Sequence, residues 1–109
     1  MIHDITIDGK GQVWIGTEGL FRYDGAGFTR YNSENTPMPE DYVTCVEIDS
    51  KDQIWFTSCR FQQGGIVKYD GTEWTVYTPE NSPLPDHFVH GIAIDDLDRV
   101  WLAVSDYVD

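Results

Sequence analysis

The motif ITIDGKGQVWIGT at residues 5–17 defines the repeat unit of this chain, because related motifs follow it twice. It returns as VEIDSKDQIWFTS at residues 46–58 and as IAIDDLDRVWLAV at residues 92–104. The tryptophans of the three copies, Trp14, Trp55 and Trp101, are therefore 41 and then 46 residues apart. A period of about 40–45 residues is typical of a repeat array in which each copy forms one structural unit.

The two copies that continue beyond this stretch also share later phrases. Tyr23-Asp24-Gly25 returns as Tyr69-Asp70-Gly71, Tyr31 returns as Tyr77, and ENTPMP at residues 34–39 returns as ENSPLP at residues 80–85. The spacing from residue 31 to residue 43 equals that from residue 77 to residue 89, so the copies differ in length only between residues 55 and 69. We therefore expect one enlarged loop, around Cys59 to Gly64.

Each full copy contains four short runs rich in β-branched and aromatic residues, separated by Gly, Asp, Asn and Pro. In the second copy these runs predict strands at residues 43–48, 53–58, 65–69 and 73–77. Four antiparallel strands in such a unit are typical of a β-propeller blade. The predicted fold is all-β, one array over residues 1–109, with two complete blades at residues 2–42 and 43–88 and a half blade at residues 89–109.

The repeated motif Asp-x-x-Gly/Asp-x-x-Trp, followed by Gly-Leu-Phe-Arg-Tyr-Asp-Gly at residues 19–25, resembles the two-component regulator propeller repeats. Similar repeats build the sensor domains of bacterial hybrid two-component systems. The resemblance implies a many-bladed propeller that recognises a signal, often an oligosaccharide. This sequence departs from the pattern after the tryptophan, where Trp14-Ile-Gly-Thr becomes Trp55-Phe-Thr-Ser and Trp101-Leu-Ala-Val, and it contains no kinase or receiver domain.

Two and a half blades leave two sheet faces without a neighbour. A propeller blade buries both faces, and large exposed apolar patches are rare on soluble monomers. We therefore expect a homo-oligomer that completes the ring, or the remainder of a longer propeller. Because the sequence starts with the first strand of a blade and ends after the second, head-to-tail closure leaves a surplus hairpin.

The charge of the chain excludes some partners. With 19 acidic and 7 basic residues the formal net charge is -12, so nucleic acid and anionic membrane surfaces are disfavoured. No apolar stretch is long enough for a signal peptide or a membrane span. The chain as it stands is expected in the cytoplasm, and in the periplasm if it is part of a sensor.

Catalytic and metal-binding constellations are not expected. His3 and His90 occupy equivalent first-strand positions that face a propeller channel, but one chain brings no three or four ligands together, so a packing role is favoured. Asp95 to Asp98 suit turn chemistry better than calcium binding. Cys45 is interpreted as a small buried strand residue that does not pair with Cys59. We predict no catalytic residue, no metal and no cofactor.

The recurring aromatic residues are expected to pack between blades, since repetition at equivalent strand positions indicates a structural role. They are Trp14, Trp55, Trp101, Tyr23, Tyr69, Tyr31 and Tyr77.

Loops that join second to third strands, and loops that join one blade to the next, must emerge on the same rim. Residues there that break the repeat suit stacking on and hydrogen bonding to a sugar or another small polar ligand. The alternative is that the longer loop is tolerated surface. The predicted ligand-binding residues are Tyr42, Arg60, Phe61, Gln62, Gln63, Asn81, Asp86, His87 and Phe88.

These observations favour a non-enzymatic propeller module with a ligand-binding or sensory role. Two alternatives stay open. One is a propeller enzyme, because complete propellers with related repeat patterns include lyases and hydrolases. The other is a purely structural assembly unit without a ligand.

Overall fold

The computed structural model describes residues 1–60 and 63–104, which form ten β-strands and no helix. The strands are β1 (Asp4–Ile7), β2 (Val13–Thr17), β3 (Gly19–Tyr23), β4 (Phe28–Tyr31), β5 (Val46–Ile48), β6 (Ile54–Arg60), β7 (Gln63–Tyr69), β8 (Trp74–Tyr77), β9 (Val89–Ile94) and β10 (Val100–Val104). No element of this described part is a helix that could cross a membrane.

The strands form three antiparallel sheets in chain order: β1-β2-β3-β4, β5-β6-β7-β8, and the two-stranded β9-β10. This confirms the predicted all-β fold of propeller-blade sheets. The innermost strands β1, β5 and β9 are neighbours, so the sheets stack side by side about one edge. We call them the first sheet, the second sheet and the half sheet.

The first strand of the second sheet is shorter than predicted, because it begins at Val46 and not at Val43. The Thr57 hydroxyl accepts hydrogen bonds from the backbone N–H groups of Thr44 and Cys45, at 3.0 and 3.1 Å. These donors are thus satisfied by a side chain, and the regular ladder starts only afterwards.

The expected enlarged loop around Cys59 to Gly64 is wrong. Cys59 pairs with Gly64 and Arg60 pairs with Gln63, so the additional residues lengthen β6 and β7. Gly64 has φ of 99°, and a Cβ placed there would lie 2.1 Å from the Ser58 carbonyl oxygen. Only glycine fits this close strand approach, which lets the hairpin continue.

Two apolar clusters hold the sheets together. The first lies between the first and second sheets and includes the fully buried Leu20, Val43 and Phe56. The second lies between the second sheet and the half sheet, around Val89 and Ile92. Each cluster draws side chains from two sheets, so no sheet buries its apolar residues alone.

Both cysteines are free thiols. Cys59 is buried and its Sγ lies 3.3 Å from the Val89 carbonyl oxygen. Cys45 is half-buried and lies just before β5, so its interpretation as a buried strand residue is wrong. Burial raises the pKa of both thiols, which makes them packing residues rather than nucleophiles.

Candidate functional site

One aspartate carboxylate closes the turn between the first and second strands of each unit. In the first unit Asp8 Oδ1 accepts hydrogen bonds from the backbone N–H groups of Lys10 and Gln12, both at 2.9 Å. Its Oδ2 accepts from the Gln12 amide at 2.9 Å and from the Trp14 indole N–H at 3.0 Å. A single carboxylate thus satisfies four donors and holds the tryptophan against the turn.

The other two units repeat this arrangement, which we call the aspartate hub. Asp49 receives the same four bonds, including one from the Trp55 indole at 3.0 Å. Asp95 receives two backbone bonds and one from the Trp101 indole at 2.9 Å, with the Arg99 guanidinium at 2.7 Å in place of the glutamine amide.

The hub carboxylates are more acidic than ordinary aspartates. Burial tends to raise the pKa of Asp8 and Asp49, but the accepted indole, backbone and amide hydrogen bonds outweigh it and place both below 3.8. The Trp101 bond, together with those from Arg99 and the backbone, lowers the pKa of Asp95 to about 2. All three are therefore ionised at neutral pH and are poorly suited to carry protons.

A second aspartate ties neighbouring turns together. Asp52 Oδ1 accepts from the Gly9 N–H at 3.0 Å, and Asp98 Oδ1 accepts from the Ser50 N–H at 3.0 Å. Both aspartates have φ of 60°, a left-handed conformation that aspartate tolerates better than most residues. The first turn has Gly11 at this position, with φ of 80°, and so offers no carboxylate.

The outward faces of the first sheet and the half sheet are apolar. On the first sheet Ile7 and Phe28 are 65% and 67% exposed, beside the less exposed Ile5 and Tyr23. On the half sheet Trp101 is 59% exposed, whereas Trp14, at the same position of the first sheet, is 3% exposed. The difference arises because the second sheet covers Trp14 and no described residue covers Trp101 in the same way.

The structure brings some predicted ligand-binding residues together at the tip of the β6–β7 hairpin. Arg60 pairs with Gln63 across the hairpin, and its guanidinium carbon lies 5.3 Å from the Tyr42 ring centroid. The His3 ring meets the Tyr42 ring edge-on, with 4.9 Å between centroids. This group of Tyr42, Arg60, Gln63 and His3, which we call the rim cluster, joins two sheets.

His87 lies close to the same hairpin from the other side. Its Nδ1 is 2.9 Å from the Gly64 carbonyl oxygen and its Nε2 is 3.0 Å from a Glu80 carboxylate oxygen. Both partners are acceptors, and a protonated imidazole can donate to both. His87 therefore ties the segment between the second sheet and the half sheet to the hairpin tip.

Asn81 and Asp86 are engaged with backbone groups. Asn81 Oδ1 accepts from the Thr78 N–H at 2.8 Å, and its Nδ2 donates to the Val76 carbonyl at 2.9 Å. Asp86 Oδ1 accepts from the His87 N–H at 2.6 Å. These bonds organise the crossing segment.

Phe88, another predicted residue, lies beside His90. The Phe88 ring lies 5.4 Å from that of His90, which is exposed, so the packing role expected for His90 is wrong. Phe61 and Gln62 fall outside the described residues.

Sequence reasoning missed a half-buried group in which Asp4, Cys45 and Glu47 bring ligand atoms within 4.8 Å of one another. Asp4 comes from the first sheet, Glu47 from the second and Cys45 from the segment just before β5, so no spacing along one repeat reveals the group. Burial, with a contribution from Asp4, raises the pKa of Glu47. Asp4 already accepts from the Val46 N–H at 2.9 Å, which gives it a structural role between the sheets.

Residues 1–19, which contain β1, the Asp8 turn and β2, match a family model described as two component regulator propeller. This confirms the predicted resemblance. The matched stretch contains the first aspartate hub, and residues 46–58 and 92–104 repeat its pattern. We therefore call the three units propeller repeats. A comparison with curated proteins found no match.

Replacing Asp49 with alanine should destabilise the protein by about 2–4 kcal/mol, because four donors around the turn lose their acceptor. Urea unfolding followed by tryptophan fluorescence measures the change. Trp55→Phe is the comparison, since it removes the indole N–H and part of the ring but leaves the Asp49 carboxylate with its three other donors. It should cost less, about 1–2 kcal/mol, from the lost hydrogen bond and the reduced ring burial. Equal losses for the two variants would contradict the hub as the principal acceptor.

Acid should weaken the fold through the hub carboxylates. A pKa that is lower in the folded state stabilises the protein above the unfolded value of 3.8 and loses that effect as the pH falls through the folded value, about 2 for Asp95. We expect the urea midpoint to drop between about pH 4 and about pH 2.

The Glu47→Gln variant controls for a carboxyl whose pKa is shifted in the opposite direction. It should leave this acid-induced drop in place. A flat midpoint in the unmodified protein over that pH range would be the contrary result.

Proposed function

We propose that the chain is a non-catalytic propeller module that acts by binding: it associates with further copies through its open sheet faces and takes a small polar ligand at the rim cluster. The match to a propeller repeat family supports the module. One observation carries the association. The open face of the first sheet has the residue pattern that, on the second sheet, receives a neighbour.

The open face of the first sheet closely resembles the face of the second sheet that packs on the first sheet. Val46 of the second sheet, 1% exposed, packs in the cluster beneath Trp14, and Ile5 holds the same repeat position in the first sheet. Tyr69 and Trp74 stack at 3.9 Å in that cluster, and their counterparts Tyr23 and Phe28 lie 4.7 Å apart on the open face. The open face of the first sheet consists of Ile5, Ile7, Tyr23 and Phe28.

The half sheet supplies the complementary surface. Trp101 is held by Asp95 as Trp14 is held by Asp8, so its ring is fixed before any partner arrives. A preorganised ring loses little side-chain entropy on binding. Docking of this face on the open face of a second copy is a heterologous contact, which forms a ring if the rotation closes.

Contact between copies lacks one link that the adjacent repeats within the chain have. Within the chain, Asp52 and Asp98 accept from the preceding turn. The backbone N–H of Asp96 is the next donor in this series. In the first turn of a second copy the position of Asp52 and Asp98 is occupied by Gly11, which has no carboxylate to accept from it. Association therefore depends on the apolar faces, without the turn-to-turn hydrogen bond.

Ligand binding at the rim cluster is supported by its chemistry. The Tyr42 ring has a guanidinium on one side and an imidazole edge nearby, and Gln63 adds an amide to the same hairpin tip. An aromatic ring beside polar donors and acceptors is suited to a sugar. The formal net charge of -12 favours neutral ligands over acidic ones.

A lyase or hydrolase role has less support. General acid–base catalysis uses a group that changes protonation near the working pH. The hub aspartates are held in the ionised form and committed to turn donors, so they do not meet this requirement.

Ile7→Lys should disrupt self-association, because it places a charge in the centre of the open face. We expect the dissociation constant between copies to rise at least about tenfold, measured by light scattering coupled to size exclusion over a concentration series. Leu97→Lys is the matched control, since Leu97 is 71% exposed on a turn outside this face. A monomeric unmodified protein at all concentrations, or equal behaviour of the two variants, would contradict association through this face.

Tyr42→Ala should weaken binding of neutral oligosaccharides, which saturation-transfer NMR detects with a panel of neutral and acidic saccharides. Loss of a stacking ring typically costs about 1–3 kcal/mol, so binding should weaken by about tenfold or more. Tyr23→Ala, on the open face of the first sheet, is the control and should leave binding unchanged. Absence of binding to every saccharide in the unmodified protein would overturn the ligand proposal and leave the association proposal intact.

A further inference from the structure

A polar cavity of about 570 Å³ lies between the first and second sheets. Its walls come from the β1–β2, β3–β4, β5–β6 and β7–β8 turns and from the strand ends next to them, and we call it the turn cavity. The rim cluster lies at the other end of the strands, at the tip of the β6–β7 hairpin. Both sheets that form the turn cavity are complete four-stranded sheets, so the cavity is enclosed by described residues.

Basic residues gather in the turn cavity. Lys10, Arg22 and Lys51 line it, which is three of the seven basic residues in the chain. Lys10 and Lys51 hold equivalent places in the turns of the first two repeats, whereas the third repeat has Leu97 there. The turn itself therefore does not require a lysine at this position.

The donors of these basic side chains are largely unused. The Arg22 guanidinium carbon lies 6.0 Å from the Trp14 ring centroid, and Nη2 donates to Thr29 Oγ1 at 3.2 Å. Its Nε is buried without a hydrogen-bond partner among the described residues. A buried donor without an acceptor is costly, so the guanidinium gains by turning toward an acceptor that enters the cavity. Lys10 and Lys51 form no ion pair with a described residue.

Two carboxylates of the cavity also keep a free oxygen. Asp24 and Asp70 hold equivalent places in the β3–β4 and β7–β8 turns, and Oδ1 of each accepts from two backbone N–H groups of its own turn at 2.7–3.0 Å. These hydrogen bonds lower the pKa of both side chains, so both are ionised at neutral pH. Oδ2 of each accepts no hydrogen bond from the part of the chain that the structure describes.

Opposite charges thus line one cavity without pairing with each other. In the described part of the chain, the ion pairs are formed by side chains elsewhere. The lining holds four aspartates and three basic residues, so a simple anion meets repulsion as well as attraction. A small ligand with both a positive and a negative group can satisfy the unused donors and acceptors together.

We propose that the turn cavity binds a free α-amino acid in its zwitterionic form. The ligand carboxylate accepts from the Arg22 guanidinium and the two lysine ammonium groups, and the ligand ammonium donates to Asp24 and Asp70. The rings of Trp14 and Tyr69, 6.2 Å apart, form the inner wall and receive the ligand side chain. Charge-assisted hydrogen bonds at both ends make both ligand charges necessary. The net charge of -12 does not oppose a ligand whose own charges cancel.

The ligand side of the proposal is tested on the 109-residue chain by calorimetric titration with L-alanine, L-leucine and L-tyrosine. We expect saturable one-to-one binding of at least one of them. Its N-acetyl derivative lacks the ammonium and its amide lacks the carboxylate, and each should bind at least about tenfold more weakly. Dissociation constants above about 1 mM for all three amino acids would overturn the proposal, as would equal binding of the N-acetyl derivative, which indicates a simple anion site.

Two variants on neighbouring strands test the place of binding. Arg22→Met removes the guanidinium and should weaken binding at least about tenfold. Arg30→Met is the matched control, because Arg30 lies against Phe21 and donates to the Glu18 carbonyl, away from the turn cavity. It should leave the affinity unchanged. Equal affinities of the two variants would place the ligand elsewhere and contradict the proposal.

Lys51→Leu keeps the proposal testable if Arg22→Met does not fold. The third repeat has leucine at this turn position, so we expect the variant to fold, which circular dichroism and the melting temperature check. Amino-acid binding should weaken by about threefold to tenfold, because one of three cations near the ligand carboxylate is lost. A folded Lys51→Leu variant with unchanged affinity would be the contrary result.

Tyr42→Ala separates this site from the rim cluster. It should leave amino-acid binding unchanged, and Arg22→Met should leave saccharide binding unchanged, so that either proposal can fail without the other. If Tyr42→Ala removes amino-acid binding while Arg22→Met does not, the amino acid lies at the rim cluster, and the turn cavity is not its site.

Discussion

The three repeats are organised around the hydrogen bonds of the aspartate hub. A single carboxylate closes the first turn of each repeat and anchors an indole, so the turn and the apolar side chain next to the neighbouring sheet are fixed together. The hydrogen bond from the indole to the aspartate therefore links the conformation of the turn to the packing between sheets. Because Trp14 is held by Asp8, its ring is already placed where the second sheet covers it, and burial of the ring does not have to order it.

A small number of hydrogen bonds between repeats fixes how the sheets stack on one another. The carboxylates of Asp52 and Asp98 each bind the preceding turn, and the Val46 N–H binds Asp4 on the first sheet. These bonds lie at opposite ends of the short strands and set the position of one sheet on the next. Between them the contact is apolar and without direction, so the polar links supply the register.

The open surfaces of the molecule follow from the same design. A sheet in this array presents two apolar faces, and only the second sheet has a described neighbour on both. Ile7, Phe28 and Trp101 are exposed for one reason: no described residue packs on these faces of the first sheet and the half sheet. Net charge of -12 favours solubility of such a molecule, although it does not cover the faces.

The sequence was sufficient to predict the repeats, the all-β fold and the turn chemistry, because hydrophobic alternation and turn-forming residues act over a few neighbouring positions. It did not determine where β5 begins or how far β6 and β7 extend. Those depend on the Thr57 hydroxyl and on a close approach at Gly64, which are contacts between strands. The sequence placed Tyr42 and Arg60 on the same rim, but only the tertiary structure set their contact and brought Asp4 to Glu47, which lies on a separate sheet. Their distances are set by packing, which has no signature within a single repeat.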